Sequence, residues 1–90
     1  MRTIAFEKDS WQKYENFRTT NKKLHKKLCD FLKEMQRSND PAQGLGQPEA
    51  LKHEYSGYYS RKLSQKDRLI YRFDDECIYI VSIGGHYGDH

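Results

Sequence analysis

The chain has 90 residues and a net charge of +3, with 36% hydrophobic, 32% charged and 13% aromatic side chains. This length supports one domain with a small core, residues 1–90, and the aromatic content argues against disorder. No apolar run approaches the roughly 18 residues of a membrane helix, and the charge at Glu7 comes too early for a secretory signal. The sequence therefore predicts a cytoplasmic protein without membrane contact.

The first forty residues predict one strand and two helices. Ile4 and Phe6 share one side of a short extended run over residues 2–6. Asp9-Ser10 is a candidate N-cap for a short helix ending near Thr19-Thr20. Asn21 is a candidate cap for a longer helix that Ser38-Asn39-Asp40-Pro41 ends. Its apolar residues recur at i, i+4, i+7, i+8 and i+11, which predicts one buried stripe of Leu24, Leu28, Phe31, Leu32 and Met35.

A basic stripe lies nearly opposite this apolar stripe on the second helix. It consists of Lys22, Lys26, Lys33 and Arg37. A basic helix face is typical of plain solvation, and it also suits docking on nucleic acid or on an acidic partner. Both interpretations stay open from the residues alone.

The second half of the chain predicts three strands. Residues 58–63, 68–73 and 77–83 are rich in aromatic and β-branched side chains, and the intervening segments are short enough for hairpin turns. Together with residues 2–6 they predict an α+β fold of order β-α-α-β-β-β. Two N-terminal helices should pack on one face of a four-stranded, mainly antiparallel sheet. In the glycine-containing loop 42–48, Leu45 is predicted to insert into the core.

Several polar residues match the needs of metal-independent RNA cleavage. That reaction needs a base for the 2′-hydroxyl, cations for the phosphate oxygens and an acid for the leaving 5′-oxygen. Arg61 and Lys62 point to opposite faces of one predicted strand, so only one of them can face a site. The candidate residues are Glu49, Lys52, Arg61, Lys62, Arg68, His86 and Tyr87.

Two other interpretations compete with catalysis at this stage. Each candidate is by itself more typical of a solvated surface side chain, and RNA binding without cleavage fits the same lysines and arginines. His25 and Cys29, like His86 and His90, have the i, i+4 spacing of metal ligands, and a zinc site would need both pairs to converge. We predict no metal and no cofactor.

The stretch GLGQPEALKHEYSGYYSRKLSQKDRLIY resembles the signature of the YoeB toxin family, within the RelE superfamily of messenger-RNA interferases. The family shows a glycine loop followed by PE.LK, SG..SR.I and RLVY, and ends in HY. Here these motifs read Pro48-Glu49 with Leu51-Lys52, Ser56-Gly57 with Ser60-Arg61, Arg68-Leu69-Ile70-Tyr71, and His86-Tyr87. The resemblance covers nearly the whole chain, and length and element order agree with it.

The resemblance implies a ribosome-dependent endoribonuclease with a RelE-like fold, the toxin of a type II toxin–antitoxin system. Glu49 would be the general base, His86 the general acid, Arg68 the transition-state cation and Tyr87 the residue that orders the scissile site. Lys52 and Lys62 would hold phosphate, with Arg61 as a further candidate. The basic stripe is assigned to ribosomal RNA.

The same resemblance implies the partners. They are a cognate YefM-like antitoxin, the 70S ribosome with its messenger RNA, and operator DNA only through the antitoxin complex; monomer and homodimer both stay open. The chain departs from the family pattern at Lys62, where a second arginine is usual, at Gly85, and in the tail of Gly88, Asp89 and His90. These departures keep one alternative open, an inactive toxin-fold module that acts through antitoxin binding and operon repression. A gyrase-poisoning toxin is disfavoured because such toxins lack the Glu and His pair.

Overall fold

The structure is a computed structural model, and it describes residues 1–85. A strand β1 (Thr3–Phe6) is followed by the helices α1 (Ser10–Thr20) and α2 (Lys22–Arg37). Four further strands follow, β2 (Glu49–Ala50), β3 (Tyr59–Lys62), β4 (Arg68–Phe73) and β5 (Cys77–Gly84), with a 3-10 turn over His53–Tyr55 between β2 and β3. No helix in this part of the chain is long and apolar enough to cross a bilayer.

The five strands form one mixed sheet in the order β1-β5-β4-β3-β2. The β1–β5 pair is parallel and the three other pairs are antiparallel. The predicted α+β class and the mainly antiparallel pairing are therefore confirmed. The predicted number of four strands is corrected to five, because Glu49 and Ala50 pair with Ser60 and Tyr59 at the sheet edge.

The predicted apolar stripe of α2 forms the helical half of the core. Leu24, Leu28, Phe31, Leu32 and Met35 are buried, and they cluster with residues from β4 and β5, among them Leu69, Tyr71, Ile78 and Ile80. Burying each such side chain contributes about 1.5–3 kcal/mol before chain entropy is counted. The helices thus cover one face of the sheet, as predicted.

The two predicted helix caps have different outcomes. The Asn21 side chain accepts a hydrogen bond from the Leu24 N–H at 3.1 Å, which confirms the cap of α2. The predicted cap of α1 is wrong, since Asp9 makes no side-chain cap bond. Ser10 is fully buried and its hydroxyl contacts two backbone carbonyls instead, those of Glu7 and Ile80, at 2.7 and 3.0 Å. Ser10 therefore ties α1 to β5.

The pleat divides the sheet residues between a helix face and the face turned away from the helices, here called the distal face. Arg61, Leu69 and Ile83 are in register on the helix face. Their neighbours Ser60, Ile70 and Ser82 are in register on the distal face. Ser60 and Ile70 are each 1% exposed, so part of the distal face is also buried.

Candidate active site

A carboxylate and a guanidinium meet on the distal face. The Arg68 Nη1 lies 3.8 Å from the Glu49 Oε1, across the intervening strand β3. This is an ion pair beyond hydrogen-bond distance. The Glu49 side chain is 64% exposed and that of Arg68 25%, so a ligand can reach the carboxylate. The structure thus brings together two residues to which the resemblance gives the roles of base and cation.

A second cation lies next to this pair. Lys62 is directly opposite Arg68 in the β3–β4 register, and both lie on the distal face. Like charges opposite one another destabilise a sheet, and a bound anion would offset that repulsion. Lys52 lies just after β2 and is exposed. Glu49, Lys62 and Arg68 form a set of one carboxylate and two cations on the distal face.

Arg61 has a different environment from the other candidates. Its side chain is fully buried, and all five of its N–H groups donate hydrogen bonds inside the protein. The acceptors are the Glu34 carboxylate at 2.5 Å, the Tyr71 hydroxyl at 2.9 Å, and the carbonyls of Pro41, Gln43 and Leu45 at 2.8–3.0 Å. Of the pair Arg61 and Lys62, the distal face carries Lys62. We therefore leave Arg61 out of the proposed phosphate contacts.

The bonds of Arg61 fix the loop that leads to Glu49. The Tyr71 hydroxyl donates a hydrogen bond to the Pro41 carbonyl at 2.6 Å and so holds the loop at a second point. Burial raises the pKa of Tyr71. Gly46 has φ +79° and faces the Phe31 ring so closely that a Cβ would lie 2.6 Å from it. The prediction that Leu45 inserts into the core is wrong, because its side chain is 48% exposed. The backbone of this loop is anchored to the core, and its apolar side chain is not.

His86 and Tyr87 lie outside the described residues. β5 ends at Gly84, which is opposite Arg68 in the sheet register and precedes His86 by two positions in the sequence. Their predicted roles as acid and as ordering residue therefore enter below as proposals.

The basic stripe lies on the outer surface of α2. Lys22, Lys26, Lys33 and Arg37 are all exposed. Lys26 forms an ion pair with Asp30 at 3.3 Å, with both side chains at least half exposed, and such a pair contributes little to stability. The stripe is thus accessible to a large polyanion.

His25 and Cys29, one of the two pairs with metal-ligand spacing, lie in a small polar cluster with Tyr14. The Cys29 Sγ lies 3.8 Å from the His25 Nδ1 and 3.1 Å from the Tyr14 hydroxyl. Burial, reinforced by the contact with Cys29, raises the pKa of Tyr14 to about 12. Within residues 1–85, no three His, Cys, Asp or Glu side chains are close enough together to hold a metal ion.

Comparison with known proteins agrees with this architecture. A family described as the YoeB-like toxin of bacterial type II toxin–antitoxin systems matches residues 6–87. A YoeB toxin from Synechocystis sp. is 40% identical over 84 residues, which covers 93% of this chain and 95% of the relative. The YoeB dimer from Staphylococcus aureus superimposes with a TM-score of 0.85 at 38% identity, covering 96% of this chain and 98% of that chain. The YoeB-YefM complex from the same organism gives 0.84 at 39% identity, covering 97% and 99%.

Two helices on one face of a mixed sheet, in a chain that superimposes on solved YoeB toxins, identify an α+β toxin with a RelE-like fold. It is a toxin of a bacterial type II toxin–antitoxin system. The chain belongs to the YoeB-like toxin family.

Proposed function

We propose that this toxin is a cytoplasmic endoribonuclease that cleaves messenger RNA in the A site of the 70S ribosome and so stops translation. The observation that carries the proposal is the position of Glu49 beside Arg68 and Lys62 on the distal face. A carboxylate next to two cations can accept a proton while the cations stabilise a phosphorane-like transition state. The family membership supports the same activity.

In the proposed reaction, Glu49 takes the proton from a ribose 2′-hydroxyl. The 2′-oxygen attacks the adjacent phosphorus, and the bond to the 5′-oxygen breaks. His86 donates the proton that this leaving oxygen needs, so the products are a 2′,3′-cyclic phosphate and a 5′-hydroxyl. Arg68, Lys62 and Lys52 would hold the phosphate oxygens, and Tyr87 would order the nucleotides at the scissile bond. These side chains supply the base, the acid and the cations, so the scheme uses no metal ion.

The surfaces suggest how the toxin meets its partners. The exposed stripe of Lys22, Lys26, Lys33 and Arg37 would contact ribosomal RNA through its phosphates, which fixes orientation without reading sequence. A YefM-like antitoxin would bind and inactivate the toxin, and operator DNA would be bound only through that complex. A relative from Staphylococcus aureus is known both as a dimer and in complex with YefM, so a homodimer is part of the proposal.

The decisive experiment maps new 5′ ends on a translated messenger, with and without 70S ribosomes. Wild-type protein should cut at A-site codons only when ribosomes are present. Glu49→Ala and His86→Ala should each slow cutting by about 10²–10⁴-fold, the usual contribution of a placed acid or base. Glu54→Ala is the matched control, since this exposed carboxylate lies in the 3-10 turn close to Glu49 in the sequence. It should cut like the wild type.

The same preparations test the basic stripe. Charge reversal of Lys22 and Lys33 should weaken ribosome binding and reduce its salt dependence, whereas Glu49→Ala should leave binding unchanged. If folded wild-type protein makes no ribosome-dependent cuts, the enzyme proposal is refuted. The toxin-fold module that acts only through the antitoxin would then replace it.

A further inference from the structure

A buried hydroxyl on the distal face has no hydrogen-bond partner. Ser60 is 1% exposed, and its Oγ contacts no donor or acceptor among the described residues. Nearly all buried hydroxyls in proteins are paired, because losing water without gaining a protein partner is unfavourable. An unpaired serine hydroxyl in the middle of a sheet is available to donate a hydrogen bond when a neighbouring acceptor moves within reach.

The register places this hydroxyl beside the proposed base. Ser60 on β3 is directly opposite Glu49 on β2, so their side chains leave the sheet on the same face at neighbouring positions. The 3.8 Å contact between Glu49 and Arg68 is too long for a hydrogen bond, and the Glu49 side chain is 64% exposed. An exposed ion pair of this kind holds a carboxylate weakly. A rotation of the Glu49 side chain therefore costs little.

We infer that Ser60 is a positioning residue for Glu49, donating a hydrogen bond to its carboxylate once Arg68 has turned to the RNA phosphate. The inference rests on the proposed ribonuclease function. Within residues 1–85, the cations that the sheet places beside this carboxylate are Arg68 from β4 and Lys62 from β3. A phosphate can attract both cations away from the carboxylate, whereas the Ser60 hydroxyl is held in the sheet and keeps the carboxylate in position.

This role predicts that removing the hydroxyl lowers the rate without lowering the stability. Removing the hydroxyl should lower kcat about tenfold with little change in KM, because the Glu49 carboxylate is less well positioned at the 2′-hydroxyl while RNA binding is intact. A hydrogen-bond donor stabilises the ionised carboxylate. Loss of the Ser60 hydroxyl should therefore destabilise the ionised form of Glu49 in the RNA complex and move the acidic limb of the kcat–pH profile to higher pH. The free protein should not lose stability, because the hydroxyl has no partner there; its unfolding temperature should stay the same or rise.

The test compares wild type with Ser60→Ala and Ser60→Thr, and with Ser82→Ala as the matched control. Ser82 lies on the same face in the same cross-strand row, but on β5, separated from Glu49 by two strands. Ser60→Ala should show the lower kcat and the shifted acidic limb without a lower unfolding temperature. Ser60→Thr should restore the acidic limb, and Ser82→Ala should keep it. A Ser60→Ala variant with wild-type kcat and acidic limb would overturn the inference. So would a uniform loss of rate that accompanies a lower unfolding temperature and that Ser60→Thr does not rescue.

A crystal structure of Arg68→Met tests the contact without any activity. Methionine has a similar length but no donor, so Glu49 loses its ion-pair partner. The Glu49 carboxylate should then lie within about 2.5–3.0 Å of the Ser60 Oγ, the range of an O–H···O bond. A carboxylate that remains away from Ser60 in this variant would overturn the inference even if wild-type protein cleaves RNA. If the contact forms in Arg68→Met but wild-type protein cuts no RNA, the proposed function alone is refuted.

Discussion

Arg61→Met should destabilise the protein by about 3–5 kcal/mol, the usual cost of removing one partner from a buried ion pair. Methionine fills a similar volume but removes five donated hydrogen bonds. Three loop carbonyls and Glu34 lose charged donors. The Glu34 side chain is 27% exposed and can regain some water, which favours the lower end of the range. A domain of this size has about 5–15 kcal/mol in total, so the loss is a large share of its stability.

Urea unfolding followed by tryptophan fluorescence measures this loss, with Arg72→Met as the control. Arg72 also lies on a strand and forms an ion pair, with Glu7 at 2.6 Å, but its side chain is 38% exposed. It also stacks over the Tyr79 ring at 4.0 Å. Partly exposed contacts of these two kinds are worth about 1 kcal/mol. If Arg61→Met cost no more than Arg72→Met, the buried hydrogen bonds of Arg61 would not anchor the loop, and the reasoning would be refuted.

Two further predictions concern the loop and the β4–β5 turn. Gly46→Ala should destabilise the protein by about 1–3 kcal/mol more than Gly57→Ala; both glycines have positive φ, but an added Cβ meets the Phe31 ring only at Gly46. Equal unfolding midpoints for these two variants would contradict the close packing. Backbone hydrogen bonds in the turn lower the pKa of Asp74, so its stabilising effect is present at pH 7 and is lost as the pH falls through its lowered pKa. Asp74→Ala should therefore be less stable than wild type at pH 7, and the difference in stability should narrow as the pH falls, as urea unfolding at pH 7 and at acidic pH would show; a difference that does not change with pH would refute this.

The sequence was sufficient to predict helices and strands whose periodic pattern of apolar residues matches the buried face. The stripe of α2 predicted its five buried residues, and runs of aromatic and β-branched side chains predicted β3, β4 and β5 to within one residue at each end. The two-residue strand β2 could not be predicted, because a pair such as Glu49-Ala50 has no periodicity. Only its pairing with β3 makes it a strand.

The candidate site was predictable in its residue types and only partly in its geometry. Motif spacing pointed to Glu49, Arg68 and Lys62, and the structure places these three together. Motif spacing could not show that Arg61 is buried and structural, because an arginine in a polar strand segment is typical of the surface. Three of the groups that accept its hydrogen bonds are backbone carbonyls of the loop, and backbone groups cannot be recognised from residue types in a sequence. Ser60 was missed for a related reason, since an unpaired hydroxyl is visible only once its surroundings are known.

The parallel pairing of β1 with β5 has a consequence for how the toxin is made. Thr3 is in register with Cys77, so β1 pairs with a strand that follows all the other described helices and strands in the sequence. Closing so long a loop is slow and is rewarded only when the last strand is present. A nascent chain that stops before β5 lacks Ile78, Ile80 and Ile83 from its core. The sheet and core can therefore be completed only after β5 has been synthesised, and translation products that lack β5 should not form this fold.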